Sequence, residues 1–121
     1  MQTREVVFDG RLPVDGYGTG GFRVGGIVYA GPVLLWPGCD PEPWTGAPDL
    51  AALAGRVAEI DVLLVGTGAE MRALGTAFDA RRAELEAGGT GVELMGTPSA
   101  CRTFNVLLAE GRRIAAALLP V

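Results

Sequence analysis

The sequence changes character near Asp49, and this change constrains the fold more than any other feature. Before Asp49, glycine and proline separate short β-type runs, a spacing that is typical of hairpins. After Asp49, helical and strand patterns alternate, which predicts an α/β domain with a mixed central sheet. The chain has 121 residues, and this length fits a single domain that spans residues 1–121.

The first part of the chain predicts short strands followed by a loop. Gly25 and Gly26 join two of the β-type runs, and two glycines supply the positive φ that a tight hairpin turn requires. We therefore expect a hairpin over residues 21–30. Four prolines and two glycines in residues 37–48 predict a loop. The predicted strands cover residues 6–8, 22–24, 27–29 and 33–36.

The second part predicts three helices that alternate with three strands. Asp49 is a suitable N-cap for a helix whose apolar residues follow the i, i+3, i+4, i+7 rule, namely Leu50, Leu53, Ala54 and Val57. Residues 62–65 form a continuous apolar run, which is typical of a strand covered on both faces. Thr97 as N-cap and Pro98 in the first turn begin the last helix, and Gly111 ends it. The remaining elements are a helix at 79–87 and strands at 92–95 and 114–119.

The composition excludes several classes of catalytic site. The chain has no histidine, and all ten of its basic residues are arginine. These absences exclude Ser-His-Asp and Cys-His catalysis, histidine zinc sites, Schiff-base lysines and the lysine of a phosphate-binding P-loop. The carboxylates are scattered, and no pair has a spacing that specifies metal or acid/base chemistry. We therefore expect no metal and no cofactor, and the residue types lean away from an enzyme.

Charge and cysteine content restrict the partners and the location. A net charge of −4, with neither half of the chain basic, argues against binding to nucleic acid. Cys39 and Cys101 lie far apart in the sequence, which argues against a disulfide framework and favours a reducing compartment. Residues 1–10 lack the order of a signal peptide, and no apolar stretch reaches the roughly 20 residues of a transmembrane segment. We expect a cytoplasmic protein whose membrane association, if any, is peripheral.

The first candidate site is the sequence Gly66-Thr67-Gly68, which follows the predicted buried strand directly. In open α/β sheets ligands tend to lie beyond the carboxyl ends of strands, where backbone amides can face an anion. The motif lacks the third glycine of the dinucleotide fingerprint. A glycine-rich turn with no ligand is the alternative interpretation.

The second candidate site lies at the beginning of the last predicted helix. A helix N-terminus and a neighbouring Arg102 both lower the pKa of a thiol, so Cys101 is a candidate thiolate. Cys101 and Asn105 are four residues apart and share one helix face, while Arg102 could hold a carboxylate or phosphate. The alternative is that Cys101 is a small buried residue and that Arg102 makes a structural ion pair.

The third candidate site is Arg23, which stands alone in an apolar, glycine-rich hairpin. Strand alternation turns Arg23 away from its two neighbours, towards either solvent or a bound anion or partner. Trp36 and Trp44 bracket the proline-rich loop, where they either anchor a partner or cover the edge of the core. Exposed hairpin edges could also pair with a second copy of the chain, so the sequence is compatible with a homodimer.

Several stretches together resemble the Mth938-like family, also called the domain of unknown function 498, which includes a mitochondrial respiratory complex I assembly factor. The most specific stretch is residues 97–121, beginning Thr-Pro-Ser-Ala-Cys-Arg-Thr-Phe-Asn. The other matching stretches are residues 17–24, 29–37 and 61–68. The resemblance implies a three-layer α/β domain with a mixed sheet and N-terminal β-hairpins.

The resemblance also places the candidate residues within family motifs. These residues are Arg23, Gly66, Thr67, Gly68, Cys101, Arg102 and Asn105. Because the chain lacks the long targeting extension of the mitochondrial relatives, a bacterial cytoplasmic protein is expected, peripheral to the inner membrane. The preferred hypothesis is a non-enzymatic interaction or assembly factor whose partners are membrane-complex subunits. The alternative is a small protein or cryptic enzyme that binds an anionic ligand between residues 66–68 and the start of the last helix.

Overall fold

The first part of the chain forms a small antiparallel sheet. The computed structural model describes residues 12–121, so the strand predicted at residues 6–8 lies outside the described residues. The strands of the small sheet are β1 (Val14–Gly18), β2 (Gly21–Val24) and β3 (Ile27–Ala30), in the order β1-β2-β3. Gly25 and Gly26 form the two-residue turn between β2 and β3, with φ angles of 58° and 84°. The predicted hairpin is therefore confirmed.

Five further strands form a second sheet, which is mixed as predicted. Its strands are β4 (Val33–Leu35), β5 (Glu42–Pro43), β6 (Val62–Thr67), β7 (Gly91–Met95) and β8 (Ile114–Leu119). The order across the sheet is β5-β4-β8-β6-β7. β6 runs parallel to both of its neighbours, whereas β4 runs antiparallel to β5 and β8. The apolar run at 62–65 is buried in β6, as its lack of alternation predicted.

Two helices and the small sheet enclose this second sheet and give three layers. Helix α2 (Thr97–Ala109) and the small sheet pack on one face, around Phe22, Phe104 and Leu118. Helix α1 (Thr76–Ala87) and residues 50–60 pack on the other face. Within residues 12–121, neither helix is long and apolar enough to cross a membrane.

The helix predicted after Asp49 is wrong. Two short 3-10 turns, Ala51–Leu53 and Val57–Glu59, occupy this segment instead. Leu50 has a left-handed φ of 54°, and Gly55 between the turns has a φ of 78°, so the hydrogen-bond ladder of an α-helix cannot continue through either residue. Two of the four predicted apolar positions are nevertheless in the core, because the side chains of Leu50 and Leu53 are buried.

The N-cap predicted for the last helix is also wrong. Gly96 precedes the helix as its N-cap, and Thr97 is the first helical residue. Pro98 follows in the first turn, and the N–H of Gly111 donates to the carbonyl of Leu108 at 3.0 Å just beyond the helix end, both as predicted. The hydroxyl of Thr97 is thus free of the capping role and bonds elsewhere.

Trp36 covers the edge of the core and pins the proline-rich loop. Its side chain is buried, and its indole Nε1 donates to Glu59 Oε1 at 2.9 Å. The guanidinium of Arg56 lies 4.4 Å from the centre of the Trp36 ring, a cation–π contact. The same guanidinium donates two hydrogen bonds, of 3.0 and 2.9 Å, to the carboxylate of Glu42 in the loop. Of the two roles considered for Trp36, the structure supports the core role.

The ion pair between Glu42 and Arg56 gives a pH-dependent contribution to stability. The hydrogen bonds from Arg56 hold the pKa of the Glu42 carboxyl below its ordinary value. The contribution is therefore complete above the ordinary pKa of glutamate and disappears as the pH falls through the lowered value. Because 39% of the Glu42 side chain is exposed, we expect no more than about 1 kcal/mol.

Urea unfolding of Glu42→Gln should test this contribution. The variant should be less stable than the wild type at about pH 7, and the difference should vanish at about pH 3. Glu84→Gln is the control and should change the stability little, because Glu84 is 68% exposed and its carboxylate lies 3.8 Å from Arg81. A Glu42→Gln variant that matches the wild type at both pH values would contradict this account.

Candidate functional site

The Gly66-Thr67-Gly68 sequence lies at the carboxyl end of β6, where the sequence placed it. Thr67 is buried, and its hydroxyl donates to the carbonyl of Glu70 at 2.7 Å, with the carbonyl of Met95 at 3.3 Å. The same oxygen accepts a hydrogen bond from the N–H of Arg72 at 3.2 Å. The hydroxyl of Thr67 therefore closes the loop at residues 67–72 and joins it to β7.

The hydroxyl of Thr97 joins the ends of β6 and β8 at the start of helix α2. Its hydroxyl accepts a hydrogen bond from the N–H of Gly68 at 2.9 Å and donates to the carbonyl of Leu119 at 2.6 Å. Its own N–H donates to the carbonyl of Gly68 at 2.7 Å. The side chain is fully buried, so a single hydroxyl joins two strand ends at the start of the helix. Thr97 was not among the predicted site residues.

Gly66 is required by the close approach of helix α2 to β6. A Cβ atom at Gly66 would lie 2.8 Å from Thr97 Oγ1 and 3.1 Å from Thr97 Cα. Both distances are too short for a side chain, so the first glycine of the motif makes room for Thr97. The packing of this helix on the sheet thus explains a glycine that the sequence suggested could receive a ligand.

The side chain of Cys101 is buried in the core beside the small sheet, and its thiolate interpretation is wrong. Burial raises the pKa of the Cys101 thiol to about 11, and the nearby Arg102 guanidinium offsets this only in part. The thiol therefore stays protonated at neutral pH. The influence of Arg102 was predicted correctly in sign, but desolvation is the larger effect.

Asn105 and Arg102 both lie on helix α2, but they have different hydrogen-bond partners. The side-chain amide of Asn105 accepts from the N–H of Val14 and donates to its carbonyl, both at 2.8 Å. This pair of hydrogen bonds fixes β1 to the helix, because the Asn105 amide bonds to both backbone groups of Val14 as a neighbouring strand would. Arg102 is exposed and donates to Ser99 Oγ at 3.2 Å. A shallow depression over residues 67–72 is lined by Thr67 and Gly68 but not by these helix residues. Anion binding between the two groups stays a prediction.

Arg23 lies on the outer face of the small sheet, where glycines surround it. Its neighbours across the strands are Gly16 on β1 and Val28 on β3. Within residues 12–121, the Arg23 guanidinium has no hydrogen bond or ion pair. A Cβ atom at Gly16 or Gly18 would meet nothing within 4 Å, so this face is open. The residues that line the depression on this face are Gly16, Tyr17, Gly18, Thr19, Gly21, Phe22, Arg23 and Val28.

A cavity of about 100 Å³ lies at the end of β4, and sequence reasoning missed it. Its walls come from distant parts of the chain, including Leu12, Val24 and Phe104, with the exposed Cys39 at its rim. Only the packing of helix α2 beside the small sheet brings these residues together, so no local motif could have indicated the cavity. Among residues 12–121, no three His, Cys, Asp or Glu side chains gather to hold a metal ion.

Comparison with known proteins identifies the fold class. A Mth938-like domain from Bordetella pertussis, solved by solution NMR, superimposes with a TM-score of 0.77 at 30% identity. The match covers 99% of this chain and 92% of that chain. The family model described as protein of unknown function DUF498/DUF598 matches residues 14–119. The chain belongs to this family, and the predicted resemblance is confirmed.

Relatives extend from bacteria to animals. An uncharacterized protein of Rhodobacter capsulatus is 48% identical over 121 residues, which are 100% of this chain and 94% of that protein. The NADH dehydrogenase (ubiquinone) 1 alpha subcomplex assembly factor 3 of Danio rerio is 34% identical over 110 residues, covering 86% of this chain. The matched region is 62% of that assembly factor, so this chain spans about three fifths of its length.

Replacing Thr97 by valine tests its role at the strand ends. Thr97→Val keeps the shape but leaves the N–H of Gly68 and the carbonyl of Leu119 without their partner. We expect the free energy of unfolding to fall by at least about 2 kcal/mol in urea titrations. Thr103→Val, at a half-buried position of the same helix, should cost less than about 0.5 kcal/mol. Equal costs for the two variants would refute the assigned role.

Thiol labelling tests the state of the two cysteines. A thiol with a pKa near 11 is only about 0.1% ionised at pH 8, and Cys101 is also buried. An aromatic disulfide reagent should therefore modify the exposed Cys39 rapidly and Cys101 only in denaturant. Absorbance of the released thiolate should show no fast phase in Cys39→Ser. A fast phase of full amplitude in that variant would show that Cys101 is reactive.

Proposed function

We propose that this chain is a non-enzymatic interaction protein that assists the assembly of membrane-bound respiratory complexes. The name of the animal relatives supports an assembly role, because these assembly factors are related to this chain. The proposal includes protein partners among membrane-complex subunits and a cytoplasmic position at the periphery of the inner membrane.

The open outer face of the small sheet is the observation that carries this proposal. Arg23 is exposed there without a carboxylate partner in residues 12–121, and Val28 beside it is 67% exposed. Ile27 adjoins Val28 and is 59% exposed, and adjoining exposed apolar residues beside an arginine are a feature of contact surfaces. Trp36 and Trp44 were the other candidate anchors for a partner, but Trp36 is buried and therefore contributes little to such a contact.

The distribution of hydrogen bonds favours recognition over turnover. The hydroxyls of Thr67 and Thr97 bond to backbone groups, and Asn105 bonds to Val14. The buried thiol of Cys101 is protonated at neutral pH. Apart from the exposed Arg102, the side chains proposed for a ligand site are thus used inside the protein, and this favours the assembly hypothesis over the alternative of a ligand-binding protein or cryptic enzyme.

Affinity capture from membranes tests the proposed function. The tagged chain, expressed in its host, should recover subunits of a membrane-bound NADH dehydrogenase from digitonin-solubilised membranes, as identified by mass spectrometry. Arg23→Glu should lower this recovery by about fivefold or more, because it reverses the charge at the proposed contact.

Arg102→Glu is the matched control, since Arg102 is also an exposed arginine but lies on helix α2. It should leave the recovery unchanged. Recovery of soluble metabolic enzymes alone would contradict the proposed function. Loss of recovery in Arg102→Glu but not in Arg23→Glu would move the contact to helix α2.

A further inference from the structure

Three of the four sheet edges in residues 12–121 are short or partly occupied. β5 has only two residues, and one of them is Pro43, which has no N–H to donate. On β7 the carbonyl of Val92 accepts a hydrogen bond from Arg82 Nη2 at 2.8 Å. On β1 both backbone groups of Val14 bond to the side chain of Asn105. The fourth edge belongs to β3.

The hairpin geometry turns the backbone of Val28 towards this fourth edge. Val24 pairs with Ile27 beside the two-residue turn, and Arg23 pairs with Val28 one step further along. In an antiparallel pair closed by a two-residue turn, the closing pair is hydrogen-bonded and the next is not. The N–H and carbonyl of Val28 therefore point away from β2. The side chains of Ile27 and Val28 are 59% and 67% exposed, so this edge is apolar and has no paired strand among residues 12–121.

The charge beside the edge indicates the chemistry of its partner. Arg23 lies on β2 next to Val28, and strands are spaced about 4.8 Å apart, so a strand added to β3 would lie about 10 Å from the backbone of Arg23. The long side chains of an arginine and a glutamate or aspartate can meet over that distance. A carboxylate on the added strand would supply the neutralising charge that residues 12–121 do not provide.

A second copy of this chain fits the edge less well. Residues 21–30 contain no aspartate or glutamate, and the carboxylate of Asp15 on β1 already accepts a hydrogen bond from the N–H of Gly26. Pairing β3 with its own copy would therefore bring two Arg23 side chains to one surface without a carboxylate on either of the paired hairpins. The hairpin thus lacks the complementary charge that self-association through this edge would need. The charge pattern favours a different protein.

We propose that β3 receives an extended segment of a membrane-complex subunit as an additional antiparallel or parallel strand, and that an acidic residue of this segment pairs with Arg23. This mode of binding uses backbone hydrogen bonds for affinity and side chains for selection. Apolar residues of the segment cover Ile27 and Val28. The inference rests on the proposed function, since it specifies the partner's form.

The probe for this inference is the subunit that the tagged wild-type chain recovers from membranes, produced as a purified protein. Val28→Glu places a negative charge beside Arg23 on the edge strand, where it repels the acidic residue of the segment and competes with it for Arg23. We expect it to weaken binding of the probe by at least about tenfold. Val106→Glu makes the same change at a valine that is 57% exposed on helix α2, and it should weaken binding less than about twofold.

Amide hydrogen exchange followed by NMR provides the second measurement. The amide of Val28 should exchange rapidly in the isolated full chain and become protected when the probe binds, together with a contiguous extended segment of the probe. Reversal of charge in Arg23→Glu should weaken binding by about fivefold or more, and replacing the acidic residue of that segment by lysine should restore it.

The outcomes separate the inference from the proposed function. If the wild type recovers no membrane-complex subunit, both fall together. If a subunit is recovered and binds Val28→Glu as tightly as Val106→Glu, only the inference falls. A Val28 amide that is protected in the isolated full chain would likewise overturn it, because the edge is then occupied by this chain or by a second copy.

Discussion

The hydroxyl of Thr97 holds together the parts of the fold on which the other features depend. It joins the end of β8 to the residue after β6, at the point where helix α2 begins. Because Gly66 has no side chain, the helix can approach the sheet closely enough for these hydrogen bonds to form. The position of the helix then determines where Asn105 meets Val14 and hence where the small sheet lies.

This arrangement separates the interior of the molecule from its contact surface. The hydroxyls of Thr67 and Thr97 at the strand ends bond to the buried backbone groups around them, and the loop at residues 67–72 is closed by its own hydrogen bonds. The outer face of the small sheet has the opposite character, because glycines leave it open and Arg23 makes no ion pair within residues 12–121. The candidate function follows from that contrast.

Sequence reasoning succeeded where local pattern decides the structure. The hairpin around Gly25 and Gly26, the buried strand at 62–65 and the mixed sheet all follow from turn chemistry and apolar runs. It failed at residues 49–60, because apolar periodicity does not register the left-handed backbone at Leu50. It also missed β1, because Gly16 and Gly18 interrupt the apolar pattern of a strand that is stabilised by pairing with β2.

The site was harder to predict, because its residues act through tertiary contacts. Thr97 resembles an N-cap in sequence, and only the packing of the helix against β6 and β8 directs its hydroxyl to Gly68 and Leu119. The most direct test of the account is the amount of assembled NADH dehydrogenase in membranes of a host strain that lacks this chain, measured on native gels. The account predicts a reduced amount that wild type and Val106→Glu restore and Val28→Glu does not. An unchanged amount in the deletion strain would contradict it.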